Sequence, residues 1–164
     1  MNLQLRQETE PESPTSRFSS PLSARTLRPL QVALKECARI LDLSAHCEVS
    51  LLLSCDAFIR DLNLRYRGRD SSTDVLSFPQ EDPIVLGDIV ISVETAQRQA
   101  ERANWPVDSE LALLAVHGLL HLAGYDDEEE SGAIAMEIKT RESLTAAAIR
   151  LPDSPHPFFQ SIGS

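Results

Sequence analysis

The stretch that organises this chain is HGLLHLAGYDD at residues 117–127, which follows the apolar run LALLAV at 111–116. The apolar run predicts a buried helix. His117 and His121 are four residues apart, so a helix places both rings on one face, about 6 Å apart along its axis. Gly124 suits the left-handed position that ends a helix, and Asp127 follows it by three residues. The spacing therefore predicts that His117, His121 and Asp127 bind one metal ion.

Two other interpretations compete with a catalytic metal site. A histidine on an apolar helix face is often a packed core residue, but the glycine stop and the carboxylate in register favour metal binding. The pattern HxxxHxxGxxD also has the ligand spacing of the long zinc-protease motif. Those proteases carry glutamate as general base directly after the first histidine, whereas this chain has Gly118. A zinc metallopeptidase therefore remains an alternative, although the sequence lacks the glutamate that transfers protons in that class.

Length and composition indicate one globular domain. The chain has 164 residues, of which 42% are hydrophobic and 24% charged, values typical of a soluble domain. We predict a single domain at 1–152, with a flexible loop at about 8–22 that is rich in Pro, Ser, Thr and Glu, and a loose tail at 153–164.

Charge and cysteine content restrict the cellular setting. No apolar run approaches the roughly 18 residues of a membrane span, so we expect no membrane partner. The 3 cysteines lack the spacing of a disulfide framework or a zinc site, which favours reduced thiols in a cytoplasmic protein. The net charge of −10 argues against nonspecific coating of nucleic acid.

The hydrophobic pattern predicts the order strand, helix, strand, helix, strand, strand and three helices. The predicted strands are 2–6, 48–53, 73–78 and 86–92, the last two forming a hairpin. Five helices are predicted. The first has Pro29 in its first turn, and the second covers 56–67 with Ser54 as its cap. The third begins at 93, the fourth carries the histidines and is capped by Asp108 or Ser109, and the fifth covers 128–149. Because strands and helices do not alternate strictly, the predicted class is α+β: a small mixed sheet with about five helices, the buried histidine helix at the centre.

A second group of residues is cationic. Arg65, Arg67 and Arg69 end the helix predicted at 56–67. Planar guanidinium groups suit phosphate oxygens, so the cluster is a candidate phosphate clamp. Arginines also compensate the negative end of a helix, and spacing alone leaves both interpretations open. His46 and His156 have no partner in sequence and are expected to be ordinary surface or loop residues.

Four segments together resemble the YbeY family of endoribonucleases, which are rRNA maturation factors. The segments are LNLRYRGRD (62–70), TDVLSFP (73–79), GDIVIS (87–92) and HGLLHLAGYD (117–126). They occur in the family's order with its spacings, and the resemblance covers about residues 30–148. It implies a compact α+β domain and a metal-dependent, single-strand-directed endoribonuclease acting in rRNA processing, ribosome maturation and ribosome quality control. It also implies rRNA precursors, the ribosomal subunit and its assembly factors as partners.

The resemblance assigns roles to particular positions. It implies one divalent metal ion per chain, usually Zn²⁺, at His117 and His121, and an RNA-phosphate contact at Arg67. The family's usual third ligand is a histidine directly after Tyr-Asp, where this chain has Asp127. Carboxylate oxygen also binds zinc, but a harder, anionic ligand should weaken Lewis acidity and admit manganese or magnesium more readily. We expect an intact site with altered metal preference.

A non-catalytic ribosome-assembly factor is the remaining alternative. In such a protein the metal would only secure the end of the helix. Structural zinc sites generally have four protein ligands, whereas three are visible in this sequence. That number favours an open, catalytic position.

Overall fold

The computed structural model describes residues 1–8 and 21–159. Within these ranges the elements are β1 (Asn2–Gln7), α1 (Ala24–Ile40), β2 (Glu48–Ser54), α2 (Asp56–Arg67), β3 (Val75–Pro79), β4 (Val85–Ser92), α3 (Val93–Arg102), α4 (Val107–Leu122) and α5 (Glu130–Ala146). This is the predicted order, and the α+β class is confirmed. Most of the loop predicted at 8–22 lies outside the described residues.

The four strands form one mixed sheet in the order β1-β2-β4-β3. β1 and β2 run parallel, as do β2 and β4, while β3 pairs antiparallel to β4 with Ser77 opposite Ile89. The predicted hairpin is therefore confirmed. It places β3 at the edge of the sheet, beside the helix that carries the histidines.

Helix α4 is the centre of the domain. It packs against β3, β4, α1, α3 and α5, and every residue from 109 to 120 is buried. A helix enclosed on all sides needs apolar residues all round, which explains the unbroken run before His117. In the described part of the chain, no helix combines the length and apolar character needed to cross a bilayer.

Helix α1 starts earlier than predicted. Ser23 is its N-cap, and the Ser23 Oγ accepts the Thr26 N–H at 3.2 Å. Pro29 consequently lies inside the helix, not in its first turn. The proline removes one helical N–H donor, while the serine cap satisfies another at the helix start. The mostly polar sequence before Pro29 gave no apolar period to mark this first turn.

The predicted caps of α2 and α4 are also wrong. Ser54 still belongs to β2, and Cys55 is the N-cap of α2 without a side-chain cap bond. Pro106 is the N-cap of α4, so Asp108 and Ser109 fall within the helix. Pro106 adopts φ −61° and ψ 141°, an extended conformation that leads directly into the helix.

The segment after α5 differs from the loose tail predicted at 153–164. Residues 153–159 fold back on the core, where His156 is only 1% exposed. The rings of Trp105 and His156 are 5.7 Å apart between centroids. His156 therefore lies in a loop, as expected, but it is buried and not an ordinary surface residue, whereas His46 is exposed as expected. Residues 160–164 lie outside the described residues.

Candidate metal centre

The last two turns of α4 bring the predicted ligands together. The Nε2 atoms of His117 and His121 are 3.0 Å apart. The Asp127 carboxylate lies beside both rings, with Oδ2 3.6 Å from the His117 Nε2 and Oδ1 3.8 Å from the His121 Nε2. One ligand atom from each of the three residues therefore lies within 4.8 Å of the others.

These separations fit a divalent metal ion. Zinc–nitrogen and zinc–oxygen bonds of about 2.0–2.2 Å at a tetrahedral angle place two donors about 3.3 Å apart. The observed distances of 3.0, 3.6 and 3.8 Å bracket this value. Two imidazoles and a carboxylate are also a donor set that zinc accepts. The group can therefore hold a metal ion.

The turn after α4 brings Asp127 to the histidines. The Gly124 N–H donates to the His121 carbonyl and the Tyr125 N–H donates to the Leu120 carbonyl, each at 3.0 Å. Gly124 has φ +94°, a conformation that glycine adopts without a steric penalty. This paired arrangement is a Schellman ending. It reverses the chain so that Asp127 lies over the helix end, as the sequence predicts.

Gly132 in the first turn of α5 supports the same turn, and the sequence analysis missed it. A Cβ atom at Gly132 would collide with the backbone carbonyl oxygen of Asp126. The absence of a side chain therefore allows α5 to begin directly against the segment that carries Asp127. A glycine in a helix is a weak signal, and only the contact with Asp126 reveals this role.

Both histidines are prepared to bind metal. The His121 Nδ1 lies 3.0 Å from the Tyr125 carbonyl oxygen, and a carbonyl can only accept. Nδ1 therefore carries the proton, which leaves the Nε2 lone pair for the metal. Burial, and then the adjacent His121, lower the pKa of His117 from 6.5 to about 4, although Asp127 and Asp74 act to raise it. His117 is thus a neutral imidazole at neutral pH.

The three residues open onto a cleft of about 620 Å³ that Arg67 and Arg69 also line. The Arg67 Nη2 donates to the Ser77 carbonyl at 3.2 Å, which holds the guanidinium at this cleft. Arg65 instead pairs with Asp61 at 3.0 Å on the surface of α2. The structure therefore divides the predicted arginine cluster, with Arg67 and Arg69 at the cleft and Arg65 elsewhere.

Asp74 is a further carboxylate of the cleft that the sequence analysis did not select. Its Oδ1 accepts the Val75 N–H at 2.8 Å, and its Oδ2 accepts from the Gln99 Nε2 at 3.2 Å. These bonds hold the carboxylate in place near His117, whose pKa it acts to raise. The segment TDVLSFP pointed to this strand, but no spacing linked Asp74 to the histidines.

Fold and cleft together define a small α+β protein in which three residues that could hold a metal ion line the same open cleft as two arginines. The family model described as "Endoribonuclease YbeY" matches residues 17–148. The chain therefore belongs to the YbeY family, which confirms the resemblance seen in the sequence.

Relatives and a solved structure agree with this assignment. The chain is 46% identical over 114 residues to the Endoribonuclease YbeY of Methylocella silvestris, a match that covers 67% of this chain and 65% of that protein, just under two thirds. It is 42% identical over 143 residues to the Endoribonuclease YbeY of Moorella thermoacetica, covering 79% and 92%. The solution structure of TM1509 from Thermotoga maritima superposes with a TM-score of 0.61 at 25% identity, covering 88% of each chain.

Proposed function

We propose that this chain is a metal-dependent endoribonuclease that cleaves single-stranded regions of rRNA precursors. One observation carries the proposal: Arg67 lines the same cleft as His117, His121 and Asp127. Metal-assisted phosphodiester cleavage combines an electrophilic metal ion with cationic groups that hold the phosphate. Membership of a family whose relatives are named endoribonucleases supports RNA as the substrate.

The donor set defines what the metal would do. His117, His121 and Asp127 would hold one divalent ion, most simply Zn²⁺, which when bound polarises a phosphoryl oxygen and lowers the pKa of a bound water. Three protein ligands leave a coordination position free for water or substrate, as in catalytic sites. Asp127 replaces the histidine expected from the family resemblance, and its harder oxygen makes Mn²⁺ or Mg²⁺ better competitors for the site.

Arg67 would bind the scissile phosphate. Its bond to the Ser77 carbonyl occupies one guanidinium nitrogen, and the remaining N–H groups are available to phosphate oxygens. A guanidinium fixed in this way stabilises negative charge that develops on the phosphate during cleavage. Arg69, also at the cleft, would neutralise an adjacent phosphate of the strand.

Tyr66 supports a preference for unpaired RNA. Its side chain is 69% exposed, and its ring packs edge-on against Phe78 with 5.3 Å between centroids. Exposed aromatic rings beside arginines provide stacking surfaces for bases. Bases are free to stack on protein only where the RNA is single-stranded. Tyr66 lines a separate cavity together with Phe78, so it would contact bases outside the cleft of Arg67.

The proposed setting is the cytoplasm, where the enzyme would act in rRNA processing, ribosome maturation and ribosome quality control. The ribosomal subunit and its assembly factors would be its partners. These assignments extend the family resemblance to this chain. They also explain how an acidic protein selects RNA: specificity would come from the local cleft and from bound partners, not from overall charge.

The test is cleavage of an end-labelled single-stranded RNA by wild type and by His117→Ala, with bound metal measured in both. His46→Ala is the matched control, because His46 is exposed and is not among the residues that line the cleft. We expect wild type and His46→Ala to cleave and His117→Ala to lose both metal and cleavage. Equal cleavage by all three would overturn the mechanism. Bound metal without cleavage by wild type would favour the non-catalytic assembly factor.

A further inference from the structure

The C-terminal segment at 153–159, called here the C-terminal strap, lies beyond the residues that the family model matches, which end at 148. It nevertheless packs against α4. His156 is 1% exposed and Glu110 of α4 is fully buried. The His156 Nε2 and the Glu110 Oε2 are 2.8 Å apart. A buried polar pair of this kind fixes the strap at one place on α4.

Hydrogen bonding determines the state of the His156 ring. The Phe158 backbone N–H donates to the His156 Nδ1 at 3.2 Å, so Nδ1 is unprotonated. The ring proton is therefore on Nε2, which donates to the Glu110 carboxylate. His156 thus connects the backbone of Phe158 to α4. Glu110 precedes His117 by seven residues, about two turns on the same helix face.

Phe158 contacts a metal-binding ring directly. Its ring packs edge-to-face against His117, with 4.5 Å between centroids and 73° between planes. His121 is oriented by its bond to the Tyr125 carbonyl. For the Nδ1 of His117, no hydrogen bond occurs among the described residues. Its ring is held at Nε2, which lies 3.0 Å from the His121 Nε2, and by aromatic contacts with His121, at 4.6 Å, and with Phe158.

We propose that the C-terminal strap is part of the metal centre, in which His156 and Glu110 hold Phe158 and Phe158 positions the ring of His117. The inference rests on the proposed function, because it takes His117 to be a metal ligand. Removal of a group that orients a ligand without touching the metal typically lowers metal affinity by roughly 10–100-fold. Phe158 is a positioning residue of this kind that acts by packing and not by hydrogen bonding.

The adjacent Phe159 provides a matched control. It lies in the same strap, but its ring contacts Trp105 at 6.5 Å and His156 at 5.5 Å, and the Arg141 guanidinium lies 4.8 Å above it. No ring contact joins Phe159 to His117 within the described chain. Removal of either phenylalanine deletes the same apolar group, but only Phe158→Ala removes the contact with the metal-binding ring.

The experiment titrates Co²⁺ into metal-free full-length wild type, Phe158→Ala and Phe159→Ala, and records absorption spectra and melting curves. We expect Phe158→Ala to bind Co²⁺ about 10-fold more weakly, with a changed ligand-field spectrum. Phe159→Ala should keep wild-type affinity and spectrum despite a comparable loss of thermal stability. Wild-type affinity and spectrum in Phe158→Ala would overturn the proposal. So would losses in both variants that follow their melting temperatures.

A metal-free measurement separates this proposal from the proposed function. NMR three-bond couplings report the Cα–Cβ rotamer of His117 in the metal-free protein. A single-rotamer value is expected for wild type and Phe159→Ala, and averaged values for Phe158→Ala and His156→Ala. If wild type binds no Co²⁺, the proposed function fails, while these couplings still decide whether Phe158 fixes the ring. Identical couplings in all four proteins would overturn the strap's role.

Discussion

A Cβ atom on Gly118 would lie 2.7 Å from the Cγ2 of Ile89 in β4 and 3.2 Å from the Ser77 Oγ. Helix α4 therefore touches the sheet at the residue directly after His117. In zinc proteases of the same spacing this residue is the general-base glutamate. Here the position faces a packed strand and has no room for a side chain. Packing as well as residue type thus argues against a metallopeptidase.

The contact predicts that Gly118→Ala destabilises the fold. The added methyl group must displace Ile89 or α4, and overpacking of this kind costs about 1–3 kcal/mol. Chemical denaturation of wild type and variant measures the loss. The matched test is a double-mutant cycle with Ile89→Ala, in which Gly118→Ala should cost clearly less because the opposing side chain is absent. Additive losses would show that the two residues do not compete for space.

The position of Asp127 predicts a selective loss of metal. Asp127→Ala removes the carboxylate 3.6 Å from the His117 Nε2, and metal affinity should fall more than about 10-fold. Asp126→Ala is the control, because the Asp126 Oδ1 accepts the Glu128 N–H at 3.0 Å and is not in the donor group. Competition with a chelator measures both. Full metal content and affinity in Asp127→Ala would exclude it as a ligand.

The bond between Arg67 and the Ser77 carbonyl predicts a defect in turnover. Arg67→Ala should lower the kcat for single-stranded RNA by about 10²–10³-fold, the usual effect of removing a transition-state donor, with metal affinity unchanged. Arg67→Lys should be intermediate, since lysine keeps the charge but not the planar fork. Arg65→Ala is the control because Arg65 is paired with Asp61 and 68% exposed. Equal effects at 65 and 67 would contradict this role.

The features that the sequence predicted share one property, namely short separation along the chain. His117, His121, Gly124 and Asp127 fall within one helix end and its turn, so helical geometry and a glycine stop were enough to bring them together. The element order followed from hydrophobic periodicity for the same reason. A helix that is buried on all sides can also be recognised from its own apolar sequence, without knowing which elements pack against it.

The features that the sequence did not predict depend on contacts between distant segments. His156 meets Glu110 at a separation of 46 residues, and neither residue lies in a pattern that points to the other. The conflict between a Gly132 side chain and the Asp126 carbonyl likewise exists only once α5 has docked. The predicted starts of α2 and α4 were wrong for a local reason. Ser54 and Asp108 are residue types that often cap helices, but Ser54 is held in β2 by strand pairing and Pro106 begins α4 earlier.

Asp56, at the first turn of α2, links three elements through its carboxylate. Its Oδ1 accepts from the Ser92 Oγ at 2.5 Å and from the Thr95 Oγ1 at 2.6 Å, and its Oδ2 accepts from the Arg98 Nη2 at 2.8 Å. Burial acts to raise the pKa of this carboxyl, but the three hydrogen bonds and the charge of Arg98 outweigh burial and hold the pKa below the ordinary 3.8.

The depressed pKa of Asp56 predicts how stability depends on pH. In the unfolded chain this carboxyl has its ordinary pKa of 3.8, whereas in the folded chain its pKa is lower. The stabilisation is therefore complete above pH 3.8 and is lost as the pH falls through the pKa of the folded state. Asp56→Asn should therefore lower the free energy of unfolding by about 1–3 kcal/mol at pH 7, and the difference from wild type should shrink below pH 3.8.

Asp70→Asn is the control. Asp70 also pairs with an arginine, Arg60 at 2.7 Å, but both side chains are exposed, so the effect of this substitution at pH 7 should be much smaller. Denaturant unfolding from pH 2.5 to 7 measures both variants, and a difference for Asp56→Asn that stays constant across this range would refute the linkage.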